Sequence, residues 1–373
     1  MRFMHVADCH VGNRQYKMEE RERDFESSFC AAIADGRSQN VDAVIIAGDL
    51  FDNPKPTADN VLAVKTAVEL AKYGGVQVLG VEGNHDQVYD NQWLRVCGIH
   101  ALDCTSEHPE ERYAKVKDCI VSGLPYTRPN ELDAALDEGV EFCRMNNIKF
   151  DVFVMHVGLA EMGDSYAADT TVQAILPKLK AMGVRYVAMG HIHVPSEQLH
   201  DGIWFVQPGS TEVCAIDEAK DKLAEIVTIE RDKELELTRF PLRTRPFVMK
   251  MAETDEEMDA LLNALDAGEF NGKFVDVYVS SQVRDGVKRL EAFKKAGVMY
   301  KYHDYGSSVS AEKKVIDRKK TFSSLEEIVD EDYAEGTHEN TLIKTLMSIP
   351  PENAVPYAQK YMESGITETE ETK

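Results

Sequence analysis

Short apolar runs rich in Val, Ile, Ala and Phe, each bounded by Gly, Asp or Pro, recur through the first two thirds of the chain. They fall at 1–7, 43–47, 76–81, 119–124, 151–155, 184–189, 203–206 and 223–229, and runs of this length between turn formers predict buried strands. Between them, 21–39, 57–73, 131–146 and 170–182 repeat apolar positions at helical spacing. In the second of these, Val61, Val64, Val68 and Ala71 stand three or four apart and share one face. Strand and helix in alternation predict an α/β domain over 1–245.

The pattern changes near 241–246. Strand 247–251, helix 255–265, strand 274–279, helix 284–295 and strand 299–302 predict a small β-α-β-α-β module, taken as a capping domain over 246–310. From 311 to 373 a basic stretch, an acidic helical stretch (324–332) and a last helical segment (341–347) follow, before Pro350, Pro351 and Pro356 interrupt further helix. No internal repeat is present.

Composition narrows the class. With 13 Pro and 23 Gly in 373 residues the chain is neither collagen-like nor of low complexity. No apolar run reaches the roughly 18 residues of a membrane span, and the first residues lack a secretory-signal pattern. Seven cysteines, an odd number without a Cys-x-x-Cys pair, predict reduced thiols and a cytoplasmic protein, nucleoid-associated if prokaryotic. The formal charge of −23 argues against a polyanionic partner, but its distribution is uneven. Residues 284–323 carry eleven Lys and Arg against five Asp and Glu, a net of +6; residues 324–373 carry three against twelve, a net of −9. A basic stretch followed by an acidic tail predicts two different partners.

The chemistry-bearing residues sit where strands end. Strand 1–7 runs into Asp8-Cys9-His10, strand 43–47 into Gly48-Asp49-Leu50-Phe51-Asp52, and strand 76–81 into Gly83-Asn84-His85-Asp86. Strand 151–155 delivers His156, and strand 184–189 delivers Gly190-His191-Ile192-His193. The C-terminal ends of strands in α/β sheets are where ligands bind. In Asp8-x-His10 and His191-x-His193, an extended backbone would aim both side chains the same way. Carboxylate, amide oxygen and imidazole together suit Mn²⁺, Fe²⁺ or Zn²⁺. Asp49, with two oxygens to share, is the candidate bridge between two ions. A single such histidine is more often structural; five motifs each ending a strand point to a dinuclear metal site. Cys9 reads as a buried bystander.

These motifs resemble the signature of the calcineurin-like metallophosphoesterase superfamily, and more closely its SbcD-type branch, the DNA double-strand-break-repair nucleases that work with an SMC-like coiled-coil ATPase. The loop Val11-Gly12-Asn13-Arg14-Gln15-Tyr16, the Gly48-Asp49-Leu50-Phe51-Asp52 segment followed by Pro54 and Pro56, and the capping module carry the closer likeness. The resemblance implies an α/β sandwich of two β-sheets flanked by helices, with the cap and a helical C-terminal segment behind it. It implies that Asp8, His10, Asp49 and His193 hold one metal, and that Asp49, Asn84, His156 and His191 hold the other, most often Mn²⁺. His85 would contact the scissile phosphate, oriented by Asp86 or by a backbone group. Implied too are 3′→5′ exonuclease activity on duplex ends and endonuclease activity on single strands or hairpins. Some members carry His where Asp52 stands, a difference that bears on the balance between the two.

Candidate DNA contacts are Arg14, Gln15 and Tyr16 beside the metals, then Arg128, Arg243 and Arg245. In the basic stretch Lys288, Arg289, Lys294 and Lys295 share one predicted helix, followed by Lys313, Lys314, Arg318, Lys319 and Lys320. Leu342, Ile343, Leu346 and Met347 form an apolar stripe suited to docking the ATPase, and the family's tendency to homodimerise points to 57–73 and 88–102. Two other readings compete: a metallophosphoesterase acting on a small phosphodiester or phosphomonoester, and a non-catalytic scaffold on the same fold. A protein Ser/Thr phosphatase is disfavoured, because Asp-Arg-Gly after Gly-Asp and Glu after Asn-His are missing.

Overall fold

The first strand, β1 (Arg2–Val6), shows how the core is divided. Alternate side chains of a strand face opposite ways: Phe3 and the following Ala7 join one buried cluster, Met4 and Val6 another. Strand β2 (Ala43–Ala47) repeats this, with Ala43, Ile45 and Ala47 on the first side and Val44 and Ile46 on the second. Residues 1–245 therefore have three apolar layers, one between two sheets and one outside each.

The computed structural model describes residues 1–305, apart from 89–90, 164–167, 216–217, 219–220 and 232. The expected basic stretch with Lys313, Lys314, Arg318, Lys319 and Lys320, the 341–347 segment and the acidic tail lie outside the described residues. Residues 1–305 form one compact unit.

The remaining elements, in chain order, are α1 (Glu19–Ser38), α2 (Ala58–Tyr73), β3 (Gln77–Val81), α3 (Gln92–Val96), β4 (His100–Ala101), β5 (Ala114–Val116), β6 (Cys119–Leu124), α4 (Pro129–Asn146), β7 (Val152–His156), α5 (Val172–Met182), β8 (Tyr186–Gly190), β9 (Ser196–His200), β10 (Ile203–Gln207), β11 (Leu223–Thr228) and β12 (Glu236–Pro241). One six-stranded sheet has the order β12-β11-β1-β2-β3-β4 and the other β5-β6-β7-β8-β10-β9. Both have parallel central strands; antiparallel pairs lie at the β12-β11-β1 side of the first and at both edges of the second. Helices α1 and α2 cover the first sheet through Phe29, Ile33, Val64 and Val68; α4 and α5 cover the second through Leu132, Leu136, Ile175 and Leu179. Thr57 and Asn60 form a capping box at α2, and Thr171 caps α5.

Four strands escape the sequence reading. β4 and β5 are two and three residues long. β9 and β12 are sheet edges whose segments, Ser196–His200 and Glu236–Pro241, are mostly polar and contain no buried residue. The expected helix 284–295 is shorter and broken: Asp285 takes a left-handed φ of 50°, and α7 (Gly286–Arg289) and α8 (Glu291–Lys295) flank Leu290.

The cap is a parallel three-stranded sheet of β13 (Phe247–Ala252), β14 (Phe274–Ser280) and β15 (Met299–Tyr305), with α6 (Asp255–Asp266) and α7–α8 closing its own core around Met258, Leu261, Val277 and Phe293. Its junction with the sandwich is built on Arg21, which is fully buried. The Arg21 guanidinium donates to Gln15 Oε1 (2.8 Å), Asp24 Oδ2 (2.7 Å), Glu212 Oε1 (3.3 Å) and the Val213 carbonyl (3.0 Å). It also lies over the rings of Phe25 and Phe247. Arg245 grips both oxygens of Asp24 at 2.6 Å and donates to the Gly272 carbonyl of the cap.

Candidate metal centre

The parallel strands β1, β2 and β3 of one sheet and β7 and β8 of the other end at the same place. There Asp8 N donates to the Gly48 carbonyl (3.2 Å) and His10 N to the Asp49 carbonyl (2.9 Å), while His191 N, from the opposite sheet, donates to Asp8 Oδ1 (2.9 Å). The backbone here differs from the extended form expected from the i, i+2 spacing. Asp8 (φ 51°), His10 (45°), Asp49 (48°) and His191 (87°) are all left-handed. Their side chains converge because the chain turns at each residue, at a cost of about 1–3 kcal/mol each that the cross-loop hydrogen bonds offset.

Three glycines make the convergence possible. A Cβ on Gly190 would lie 2.0 Å from the Ala47 carbonyl oxygen, one on Gly83 2.0 Å from Asp49 Oδ1, and one on Gly48 2.1 Å from His156 Nδ1. Any side chain at these positions would occupy the space that the candidate ligands and their supporting backbone fill.

All seven candidate ligand residues come together. His10 Nε2 and His193 Nε2 lie 3.1 Å apart. Asn84 Oδ1 lies 3.1 Å from His156 Nε2 and 2.9 Å from His191 Nδ1. Between these groups sits Asp49 Oδ2, 3.7 Å from His10 Nε2 and 3.3 Å from His156 Nε2. His156 is oriented by its Nδ1, which donates to the Ala47 carbonyl (2.8 Å), and His193 by its Nδ1 against Glu218 Oε1 (2.8 Å). Holding one ring nitrogen in this way leaves the other to a ligand.

The electrostatics fit a cation. Asp8 is fully buried, yet among the described residues its Oδ2 has no hydrogen-bond partner, an arrangement that costs free energy unless something positive faces it. Burial, the largest single influence, would lower the His156 pKa, but the charge and hydrogen bond of Asp49, the charge of Asp8 and the Ala47 carbonyl together outweigh it and raise the ring to about 9. The Asp49 carboxyl is correspondingly held well below the usual range, against the opposing effect of burial. His191, desolvated and beside His156, is pushed down and stays neutral, the form that ligates.

His85 lies on the solvent side, its ring 4.8 Å from that of His10. Its Nδ1 donates to the Asp52 carbonyl (3.1 Å) and its backbone N to Asp49 Oδ1 (2.9 Å). The backbone therefore orients this ring. Asp86 instead accepts from Phe51 N and Gly83 N, both at 2.9 Å, and pins the loop that carries Asn84 and His85. Cys9 packs in the core, with its thiol pKa pushed far up by burial.

Residues other than the seven candidate ligands also belong here. Asp52 approaches His10 Nδ1 (3.5 Å), Asp169 approaches His191 Nε2 (3.7 Å), and the Tyr126 ring stacks on His191 at 6.1 Å. Glu218 and Cys214 stand beside His193. Asp52 carries a signal in sequence, three residues after Asp49 in the same loop. For Asp169, Cys214 and Glu218 there is none, because only the folded chain brings them near.

The candidate DNA residues are dispersed. Arg14 pairs with Glu19 and Glu22, and Gln15 is buried, donating to the Cys214 carbonyl (2.6 Å). Tyr16 stacks on Phe274, under Lys301. Arg245 lies in the cap junction, whereas Arg243 pairs with Asp35 and Arg128 with Glu131, both arginines standing exposed. Lys288, Lys294 and Lys295 line a cap groove of about 940 Å³ with Tyr300 and Tyr302.

A family model described as calcineurin-like phosphoesterase matches residues 1–195, more than half of the 373-residue chain. The chain belongs to the calcineurin-like phosphoesterase family. All the candidate ligands of this phosphoesterase lie inside the matched region. Among curated proteins, the phosphoesterase is similar to the DNA double-strand break repair protein Mre11 of Haloferax volcanii, 28% identical over 66% of this chain and 53% of that one. It is similar to the protein of the same description from Methanosarcina mazei, at 28% over 69% of this chain and 40% of that one. In Aeropyrum pernix the figures are 32%, 58% and 54%. The match spans about half the length of these relatives. Among solved structures, TT1561 of Thermus thermophilus aligns with a TM-score of 0.41 at 11% identity, over 64% of this chain and 98% of that one. A dimetal phosphatase from Danio rerio gives 0.36 at 13% identity, over 65% and 96%.

Proposed function

We propose that this phosphoesterase is a two-metal DNA nuclease that processes double-strand breaks. The observation that carries the reading is the position of Asp49 Oδ2 between the His10/His193 pair and the Asn84/His156/His191 group. Asp8, His10, Asp49 and His193 hold one divalent ion, and Asp49, Asn84, His156 and His191 the other, with Mn²⁺ as the expected metal. When bound, the two ions supply charge neutralisation at the phosphodiester and activation of the attacking water. The protein's own part is positioning: left-handed turns and glycines hold the donors, and carbonyl and carboxylate partners set the His156 and His193 rings. His85, with Nδ1 committed to the Asp52 carbonyl, offers Nε2 to the leaving 3′-oxygen, where it holds or donates a proton.

The relatives' description as double-strand break repair proteins supports DNA as the substrate, with 3′→5′ exonuclease action on duplex ends and endonuclease action on single strands. An SMC-like ATPase, docked through 341–347, supplies DNA grip that a chain of net charge −23 lacks. A homodimer through helix α2 is consistent with Leu62, Leu70 and Tyr73 standing exposed on it. The charge favours one alternative, a small phosphodiester substrate.

The test is hydrolysis by the purified chain in Mn²⁺, with linear duplex DNA and bis-p-nitrophenyl phosphate side by side and His85→Ala as blank. DNA degradation lost in the variant supports the nuclease. Turnover of the small diester, with DNA untouched even after the ATPase is added, overturns it in favour of the small substrate.

A further inference from the structure

We propose that Cys214 is a thiolate ligand in the His10/His193 half of the centre, giving that half a soft donor that the other half lacks. The proposal rests on the reading of the cluster as a metal centre and assigns a residue that the five motifs do not contain.

The geometry comes first. Cys214 Sγ and one ring nitrogen each of His10 and His193 lie within 4.8 Å of one another, and the two Nε2 atoms are 3.1 Å apart. Metal–nitrogen bonds of about 2.0–2.1 Å and metal–sulfur bonds of about 2.3 Å give donor triangles of this size. The sulfur is also held in place. Cys214 N donates to Glu218 Oε2 (2.9 Å), and the Cys214 carbonyl accepts from Gln15 Nε2 (2.6 Å). Glu218 thus acts twice, because its Oε1 also holds His193 Nδ1 and turns Nε2 toward His10. One carboxylate sets the direction of two neighbouring donors, an arrangement expected around a metal.

In the same centre Asp8, fully buried, offers an Oδ2 without a hydrogen-bond partner among the described residues. The sulfur donates a weak hydrogen bond to the Glu212 carbonyl at 3.4 Å and also interacts with the His193 and Ser210 side chains. On binding, the S–H bond breaks, its proton passes to water, and a sulfur–metal bond forms with no electron transferred. Cys9, next to the motif in sequence, cannot substitute, because it packs in the core with Val11, Phe29 and Leu50.

The two halves then differ in kind. Asn84, His156, His191 and Asp49 offer nitrogen and oxygen only, which suit Mn²⁺, whereas a thiolate beside two imidazoles favours Zn²⁺ or Fe²⁺. The two halves thus present unlike donor sets.

Loading the metal-free full chain with Co²⁺ reads this directly. The expected spectrum has a near-ultraviolet thiolate-to-cobalt charge-transfer band that saturates with one of two bound ions. Cys214→Ser loses that band and keeps its visible cobalt bands and bound Co²⁺. Bound Co²⁺ without a charge-transfer band in the unmodified protein, or a band unchanged in the variant, overturns the proposal. X-ray absorption of the Zn²⁺-loaded unmodified chain needs no variant: a sulfur neighbour at about 2.3 Å supports it, and nitrogen and oxygen alone overturn it. Failure to retain any Co²⁺ overturns the metal-centre reading itself, and the ligand with it.

Discussion

His10 and His193 bring their Nε2 atoms to within 3.1 Å of each other, closer than two imidazole lone pairs settle without a proton or cation between them. The folded state therefore gains from any divalent ion that fills the gap, while the unfolded chain does not. At an ion concentration 100 times Kd, the gain is about 2.7 kcal/mol, or roughly 5–10 °C in Tm for a domain of this size. Thermal unfolding with Mn²⁺ against EDTA measures it, and equal Tm values in both would remove the cation from the cluster.

Gly190→Ala places a Cβ 2.0 Å from the Ala47 carbonyl of the opposite sheet. We expect a loss above about 3 kcal/mol, as for severe overpacking, together with loss of metal uptake. Gly75→Ala is the control. It has positive φ, but no described residue lies within 4 Å of the added Cβ, so only the conformational cost of about 1 kcal/mol applies. Urea unfolding and calorimetric metal titration of the two variants separate them.

Arg21 is fully buried and Glu212 is 1% exposed. Arg21→Met leaves that carboxylate without its main partner and removes the contact with Phe247. The expected cost is about 3–5 kcal/mol. Adding Glu212→Gln restores part of it, and the denaturation midpoints of the single and double variants show by how much. No recovery would mean that packing on Phe25 and Phe247 dominates.

Glu225 lies between the sheets, and burial first, then the charge of Glu197, raises its carboxyl to about 7 against the pull of Arg239. The folded protein binds this proton more tightly than the unfolded chain. Its contribution to stability is therefore complete below about pH 4.5 and lost as pH rises through 7. Glu225→Gln should exceed the parent in stability by about 1 kcal/mol at pH 8 and lose that advantage near pH 4.5. Unfolding free energies at the two pH values decide, and a pH-independent difference would contradict the shift.

Much of the sandwich is legible in the chain because its central strands, such as β2 and β7, are buried on both faces and read as unbroken apolar runs. The motif residues are legible for the same reason: Asp49 and His156 are the first polar side chains after such runs. β9 and β12 are hidden because edge strands carry polar side chains. The Asp201-Gly202 pair, both at positive φ, is the hairpin signal that marks β9. Glu218 and Cys214 could not be read, because His193 meets them only through tertiary packing. The left-handed turns at Asp8 and His10 were hidden too, since neither is glycine. For Gln15 and Arg245, a basic or polar residue near the site does not say whether it faces solvent or a neighbouring module.

The donors are split between the two sheets, and 183 residues separate Asp8 from His191. Asn84, the last of the first sheet's share, precedes His193 by 109 residues, so at about 5–20 residues per second on the ribosome that share emerges roughly 5–20 s before the last of the second sheet's. During that interval Asp8, His10, Asp49 and Asn84 are a half-site without His191 or His193. Metal loading is therefore a late event of synthesis, one that only a chain with both sheets formed can complete.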